Sequence, residues 1–514
     1  MANRFYFLIF LVFLPFLVFH LFTFSQYGAH WDETVQTHLG QANLDYLQGK
    51  TKVIELQRDD LVYYGPFFDV ANILLANFLI SSFKVNQVDA SHVLTFLTAL
   101  FGLLLVYLLA KKLFNQKVGL YSLLFLLFFP RFIAHSHYNS KDIPIAVFCL
   151  AALLFLYQAA VKKKTINFIL AGVFAGLALA IQVTSLMILP VFFISYCFSF
   201  FLKDKNKSIW TEIKESLSKW IVFLLAGVIT LFALWPGLWQ KPALFFNSIY
   251  FFLNHGWEGN ILYLGKVYAG TKVPWHYPFV YLFITTPIVT LAFFGFGFYQ
   301  ILNKYLQKKQ KVFRALLLIN WLLIPLLIAA KPGTIKYDGI RHFLLVIPPL
   351  TIIAGKGLAY LEKILKRKYP KNIEVINSVL LSLVSLWLIY QSLLVNPYGA
   401  SYFNEALRLV IPKHIENTFE IEYWGTSYRE GIKWLNEHTK GETSFCVMIA
   451  PHLIQYYPLR ENLEYKCDQN TDYLMFFTRK AYLPAKLDQE LAPIRPVYKI
   501  SRFNSDLLYI YKIK

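Results

Sequence analysis

Apolar stretches long enough to cross a bilayer recur from residue 5 to about residue 395, and nothing else in the chain restricts its fold as much. A hydrocarbon core takes roughly 20 consecutive apolar residues per helix, and each helix must satisfy its own backbone polar groups there. Eleven stretches meet that need: 5–24, 92–110, 118–134, 143–161, 166–182, 185–202, 220–236, 277–302, 315–330, 342–360 and 376–395. Only 16% of the residues are charged, against about a quarter in soluble proteins. The first stretch is too long for a signal-peptide core and has no clear small-x-small site before Tyr27, so it reads as a retained span. Gly172 and Gly176 form a GxxxG pair, which predicts close helix packing.

The net charge of +20 raises nucleic acid as a partner, but its distribution points elsewhere. Segments 1–4, 111–117, 162–164, 203–219, 303–314 and 361–374 alternate with the remaining loops across the spans and hold 22 Lys/Arg and 5 Asp/Glu. The basic clusters Lys111-Lys112, Lys162-Lys163-Lys164, Lys308-Lys309 and Lys366-Arg367-Lys368 all fall on that side. This is the positive-inside pattern. It predicts a cytoplasmic N-terminus, a tail outside a cell (inner) membrane, and membrane lipids rather than nucleic acid as the surroundings.

From residue 396 charge rises and apolar runs shorten. Tyr428 to His438 predicts a helix with Ile432 and Leu435 on one face. Segments 444–449, 473–477 and 507–513 predict short strands. The expected organisation is a transmembrane catalytic domain over 1–395 and an extracytoplasmic α/β domain over 396–514. Cys446 and Cys467 lie in this tail, where an oxidising compartment permits a disulfide without requiring one. Cys149 and Cys197 lie in apolar spans and read as packing residues.

Two expected outer loops are long. Segment 25–91 contains an apolar stretch, 67–83, interrupted by Asp69 and Asn72, which predicts an interfacial helix. Segment 237–275 carries Trp239, Trp257, Tyr263, Tyr268 and Trp275, rings suited both to the headgroup level and to stacking on sugars.

Three polar constellations fall on one side of these spans. His30-Trp31-Asp32-Glu33, with His38 after it, follows the first span; the acids fit an ordinary loop turn, or a general base beside an apolar wall. His135-Ser136-His137-Tyr138-Asn139-Ser140-Lys141-Asp142 is expected as a loop before the fourth span. There Asp142 either caps the next helix ahead of Pro144 or contributes to a site. A metal on His135, His137 and Asp142 is the weaker alternative, since His-x-His with no further fixed ligand is common by chance. Lys336-Tyr337-Asp338-Gly339-Ile340-Arg341-His342 precedes the tenth span, with Arg341 at the depth of a lipid phosphate, as a phosphate grip or as a snorkelling side chain. A catalytic site on that side cannot draw on cytosolic nucleotide sugars, so its donor would be carried by a lipid.

The chain resembles bacterial members of glycosyltransferase family 39 in the GT-C superfamily, relatives of the protein O-mannosyltransferases and of the aminoarabinose transferase acting on lipid A. The resemblance covers roughly residues 5–430. It rests on Asp32-Glu33, on Lys141-Asp142-Ile143-Pro144, on Trp235-Pro236-Gly237-Leu238-Trp239 and on Tyr277-Pro278 with Thr286-Pro287. Tyr337-Asp338-Gly339-Ile340-Arg341-His342, Asn396-Pro397-Tyr398, Ser401-Tyr402-Phe403-Asn404-Glu405 and Tyr423-Trp424-Gly425 complete it. It implies a GT-C-like helical membrane protein of about 11 transmembrane helices with a small C-terminal α/β domain. It implies an inverting transfer of a sugar from a polyprenyl-phosphate donor to a glycan, lipid or protein hydroxyl. Asp32 is then the catalytic base, with Glu33 beside it and Asp142 lining the same cavity. Arg341, His342 and Lys141 are candidates for the donor phosphate, and His135, His137, Trp257 and Tyr337 for the substrate pocket. No cofactor is expected, and a divalent metal is left open. Segment 237–275 is too short for the β-trefoil domains of the eukaryotic protein mannosyltransferases. The rival classes are a lipid or glycan transporter, which places ionisable groups at mid-bilayer, and a receptor or scaffold that works through the tail.

Overall fold

The computed structural model describes every residue except 1–13, 15–16, 204–208, 255, 306–310, 485–486, 488–489 and 492. The start of the first expected span and the Lys308-Lys309 cluster lie outside the described residues. Helix α1 is the described part of that span, Leu17–Gln26. Helices α2 (Glu33–Leu47) and α3 (Phe67–Phe83) follow before the long α4 (Gln87–Leu113). The bundle continues with α5 (Gln116–Leu127), α6 (Pro130–Tyr138), α7 (Asp142–Lys162), α8 (Thr165–Leu179), α9 (Ile188–Lys203) and α10 (Ile209–Leu234). Short helices α11 (Gly237–Gln240) and α12 (Leu244–Asn254) lead to a hairpin of β1 (Asn260–Tyr263) and β2 (Lys266–Ala269). Then come α13 (Tyr277–Thr285), α14 (Ile288–Gln300), α15 (Val312–Ala330), α16 (Ile347–Lys368) and α17 (Ile373–Val395).

Among the described residues seven helical segments are long and apolar enough to cross a membrane, and nine if two bent pairs are each one span. The protein is therefore a multi-pass membrane protein. The other two of the eleven expected spans are α1, described only in part, and α8, whose 15 residues fall short of a full crossing.

Two expected spans are not straight, and proline explains both. Between α5 and α6 the axis bends by 70°. Pro130 cannot donate to the preceding turn, and it drives Phe129 out of helical geometry, to φ −87°, ψ 106°. A new helix starts at once with Pro130 in its first turn. Between α13 and α14 the bend is 114°, with Thr286 extended ahead of Pro287. The first break corrects the sequence reading in a second respect. His135 and His137 do not sit on a surface loop; they lie on α6, a helix whose every residue is buried.

The GxxxG pair behaves as expected. A Cβ on Gly172 would fall 2.3 Å from the carbonyl oxygen of Phe223, and one on Gly176 2.6 Å from that of Gly227, so α8 and α10 touch through their backbones. Helices α4, α7 and α16 all start beside the polar constellations and end in basic clusters, at Lys111-Lys112, Lys162 and Lys366-Arg367-Lys368. The described positive clusters therefore gather at the end of the bundle opposite the polar residues.

After α18 (Glu405–Val410) and α19 (Tyr428–His438) comes a small C-terminal sheet domain. Its strands are β3 (Thr443–Val447), β4 (Leu463–Tyr465), β5 (Tyr473–Phe477), β6 (Tyr498–Arg502) and β7 (Ser505–Lys512), in the order β4-β3-β5-β7-β6. Strand β3 runs parallel to β4 and β5, whereas β7 is antiparallel to β5 and β6. The near-continuous apolar run Leu474 to Phe477 suits a central strand covered on both faces. Ile432 and Leu435 of α19 are buried, as predicted. Strands β4 and β6 and the β1–β2 hairpin are additions to the sequence reading, each too short for a distinct alternating pattern. Cys446 and Cys467 form a disulfide.

The domain is tied to the first loop of the chain. Tyr457 Oη accepts a hydrogen bond from Ala29 N at 2.8 Å, and His452 Nε2 lies 2.9 Å from Trp31 O. Arg429 Nη1 reaches Tyr27 O at 2.8 Å and Asp89 Oδ1 at 2.6 Å.

Candidate active site

The segment before α2 folds on itself. Glu33 N donates to His30 O at 2.9 Å, and Asp32 N donates to His30 Nδ1 at 3.2 Å. Asp32 stands at the N-cap of α2, yet its side chain makes no capping bond. Instead Oδ2 accepts from Arg341 Nη1 at 2.9 Å, across 309 residues of sequence. Burial alone would raise the Asp32 carboxyl, but Arg341, with His30 and Lys141, outweighs it and holds the pKa below the usual carboxylate range.

Arg341 reaches this position through a reversed turn. Asp338 and Gly339 both adopt left-handed φ, 55° and 65°, conformations that Gly and Asp tolerate best. Besides Asp32, the guanidinium donates to Tyr337 Oη at 3.2 Å and lies 3.4 Å from Asp338 Oδ2. It is 8% exposed and rests over the rings of Trp424 (4.8 Å) and Tyr337 (4.9 Å). His342 is exposed, with Nε2 3.3 Å from Arg341 Nε. Tyr337 is backed by Trp257, stacked at 4.3 Å. Trp257 thus supports Tyr337 through their stacked rings.

Lys141 Nζ lies 4.1 Å from the ring of Tyr64. Asp142 opens α7; its Oδ2 accepts from Asn139 Nδ2 at 2.9 Å, and its N–H donates to Asn139 Oδ1 at 2.8 Å. The same Asn139 amide lies 3.0 Å from His135 Nδ1. With Asn139 as donor, the His135 proton sits on Nε2, which is 3.3 Å from Tyr423 Oη. His135 therefore belongs to the shell around Asp142. His137 does not: two residues on along α6 it points the other way, its ring stacked on Tyr27 at 3.7 Å.

Glu33 also parts from its neighbour. Its carboxylate accepts from Ser91 Oγ at 2.7 Å and lies 3.2 Å from His30 Nε2 and 3.5 Å from His92 Nε2. Burial pushes this group up, but the two histidines and Ser91 outweigh it and bring it down to about 2. Among the described residues one group could share an ion, His414, Glu416 and Asp506, with ligand atoms within 4.8 Å. It borders the C-terminal sheet, away from Asp32, and Asp506 is already held by Lys499 at 3.1 Å and by Tyr509 at 2.9 Å.

Three residues absent from the sequence-based candidates shape the site. Asp338 Oδ2 accepts from Trp424 Nε1 at 3.0 Å, and its Oδ1 accepts from Arg479 Nη2 at 2.8 Å. Arg479 Nη1 in turn donates to Tyr423 O at 2.8 Å. The C-terminal sheet domain thus fixes the carboxylate that flanks Arg341. Asp338 and Trp424 stood inside stretches the sequence marked; Arg479 carried no local signal.

Residues 74–239 match a family described as dolichyl-phosphate-mannose-protein mannosyltransferase. No curated protein sequence matches the chain significantly. Among solved structures, ArnT from Cupriavidus metallidurans bound to undecaprenyl phosphate superposes with a TM-score of 0.53 at 13% identity, covering 99% of this chain and 98% of that one. The same protein in the apo state gives 0.51 at 13% identity and 97% coverage of each chain. The likeness in fold extends from the membrane bundle through the C-terminal sheet.

Proposed function

We propose that this chain, a membrane glycosyltransferase of the GT-C type, moves a sugar from a polyprenyl-phosphate donor to an acceptor hydroxyl on the extracytoplasmic face, with inversion. The observation that carries the reading is the Asp32–Arg341 pair, 2.9 Å apart, with Arg341 buried and Asp32 partly exposed, and with Lys141 and Asp142 close by. It supports a reading in which Asp32 accepts the proton and Arg341 binds the phosphate. The undecaprenyl phosphate bound to ArnT, whose fold this chain shares, supports the choice of carrier.

In this mechanism the donor phosphate lies against Arg341 and Lys141, with His342 at its exposed edge and Tyr337 fixing the guanidinium. Arginine suits the task because its fork pairs with two oxygens at once. A phosphate on Arg341 weakens that cation's hold on Asp32 and adds negative charge beside it. Both effects raise the carboxylate's affinity for a proton, so donor binding strengthens the base. Asp32 takes the proton from the acceptor hydroxyl as its oxygen bonds to the anomeric carbon. The bond from that carbon to the phosphate oxygen breaks, and the polyprenyl phosphate leaves from the opposite face. Arg341 and Lys141 stabilise the charge on the leaving oxygens. Asp142, held by Asn139, which in turn meets His135, limits how far those cations can shift.

The orientation rests on two features. The described basic clusters lie at the far end of the bundle from Asp32, as for a cytoplasmic end. The Cys446–Cys467 disulfide fits an oxidising compartment on the other side.

The test is Asp32→Asn in purified protein supplied with radiolabelled polyprenyl-phosphate sugar and membrane acceptors. Transfer falls by ~10²–10⁴, with unchanged membrane insertion and thermal stability. Turnover close to wild type would remove Asp32 from the chemistry.

A further inference from the structure

Helix α3 is apolar around most of its surface, and Leu74 and Phe78 on it are exposed. Yet its one carboxylate, Asp69, and both its amides, Asn72 and Asn77, line a single cavity of about 220 Å3. The spacing, three to five residues apart, sets them along one face of the helix. Across the gap α2 presents Glu33, Gln36 and Gln41 on a matching face. A polar stripe on an apolar helix is costly unless something hydrogen-bonds to it. Here Asp69 Oδ2 and Asn72 Oδ1 are buried and hydrogen-bond to none of the described residues, although Asp69 is only 3% exposed.

Beside Ile73, Ala76 and Ile80 the lining has a definite polar chemistry: two carboxylates, amides and hydroxyls, with no Lys, Arg or His among the described lining residues. Planar amides and carboxylates pair well with the adjacent hydroxyls of a sugar ring. A phosphate would meet two carboxylates and, among the described lining residues, no cation to receive it. The volume is below the roughly 300–1,000 Å3 of pockets for drug-sized ligands, which suits one ring. The cavity opens between the exposed Asn77 and Gln87 and narrows to the buried Glu33 and Ser140. Those two are chain neighbours of Asp32 and Lys141, so its closed end borders the proposed donor site.

We propose that this cavity is the acceptor site, and that the acceptor presents an unphosphorylated sugar ring whose attacking hydroxyl enters at the Glu33 end. The assignment rests on the reading of Asp32 and Arg341 as the donor side of a glycosyl transfer. It limits the acceptor to a class: a neutral or aminated glycan, free or lipid-linked, in place of a phosphorylated headgroup.

The test uses the full-length protein in lipid nanodiscs and saturation-transfer NMR, with methyl glucoside and glucose 6-phosphate as the paired probes. Methyl glucoside gives signal and glucose 6-phosphate does not. Asn72→Leu, and separately Asn77→Leu at the exposed mouth, weaken methyl glucoside binding about tenfold. Undecaprenyl phosphate binds both variants like wild type and binds Arg341→Gln about a hundredfold more weakly. Equal binding of the phosphorylated probe, no methyl glucoside signal, or unaltered binding by both leucine variants overturns the assignment. A wild-type protein that ignores undecaprenyl phosphate but holds methyl glucoside through Asn72 sinks the donor reading and leaves the cavity standing.

Discussion

An aspartate at a helix N-cap ordinarily turns back to accept from the backbone N–H groups of the first turn, a bond worth about 1 kcal/mol. Asp32 forgoes that bond and reaches Arg341 instead. The exchange has a pH consequence. Asp32 must be ionised to accept a proton, and Arg341 holds its pKa down against burial. In Arg341→Gln only His30 and Lys141 are left to oppose burial, and the pKa rises. The acid limb of kcat/KM, measured at saturating donor, then moves to higher pH by ~1–3 units. A limb that stays in place would mean that another group sets it. Asp32 and Arg341 were each visible in the sequence, because an acid beside a span and an arginine at phosphate depth stand out from apolar surroundings. Their pairing was not, since nothing local records a contact across 309 residues. Arg479 was invisible altogether, an ordinary arginine in a loop until the fold set it on Asp338.

Helices carry the same lesson at the next scale. Apolar run length located the spans, and the glycine pair in α8 announced a close neighbour. Hydropathy could not show that Pro130 turns the chain by 70° and sends α6, with both its histidines, into the interior. A run interrupted by polar residues looks the same whether they face water or other helices. The α8–α10 contact gives a prediction of its own. Gly172→Leu sets a side chain against the Phe223 carbonyl and forces the helices apart, lowering stability by about 1–3 kcal/mol. Gly295→Leu in α14 meets nothing within 4 Å and unfolds like wild type. Thermal unfolding in detergent separates the two; equal melting would show that α8 and α10 do not touch as described.

Over the whole molecule, the charge asymmetry read from the sequence reappears as two unlike ends, one basic and one bearing the reactive residues and the C-terminal sheet. A membrane-impermeant maleimide applied to intact cells therefore labels Glu437→Cys in α19 and leaves Lys368→Cys at the end of α16 untouched; the reverse pattern would invert the proposed orientation. The five-stranded sheet could be anticipated only as three strands, because β4 and β6 depend on neighbours from distant segments. The bonds from Tyr457, His452 and Arg429 to the loop that holds Asp32 also impose an order in time. That loop leaves the ribosome 402 to 428 residues ahead of its clamps. A polypeptide inserted but not yet made as far as Tyr457 holds its helices in the lipid with the Asp32 loop still unfastened, so the site is complete only once that residue has emerged.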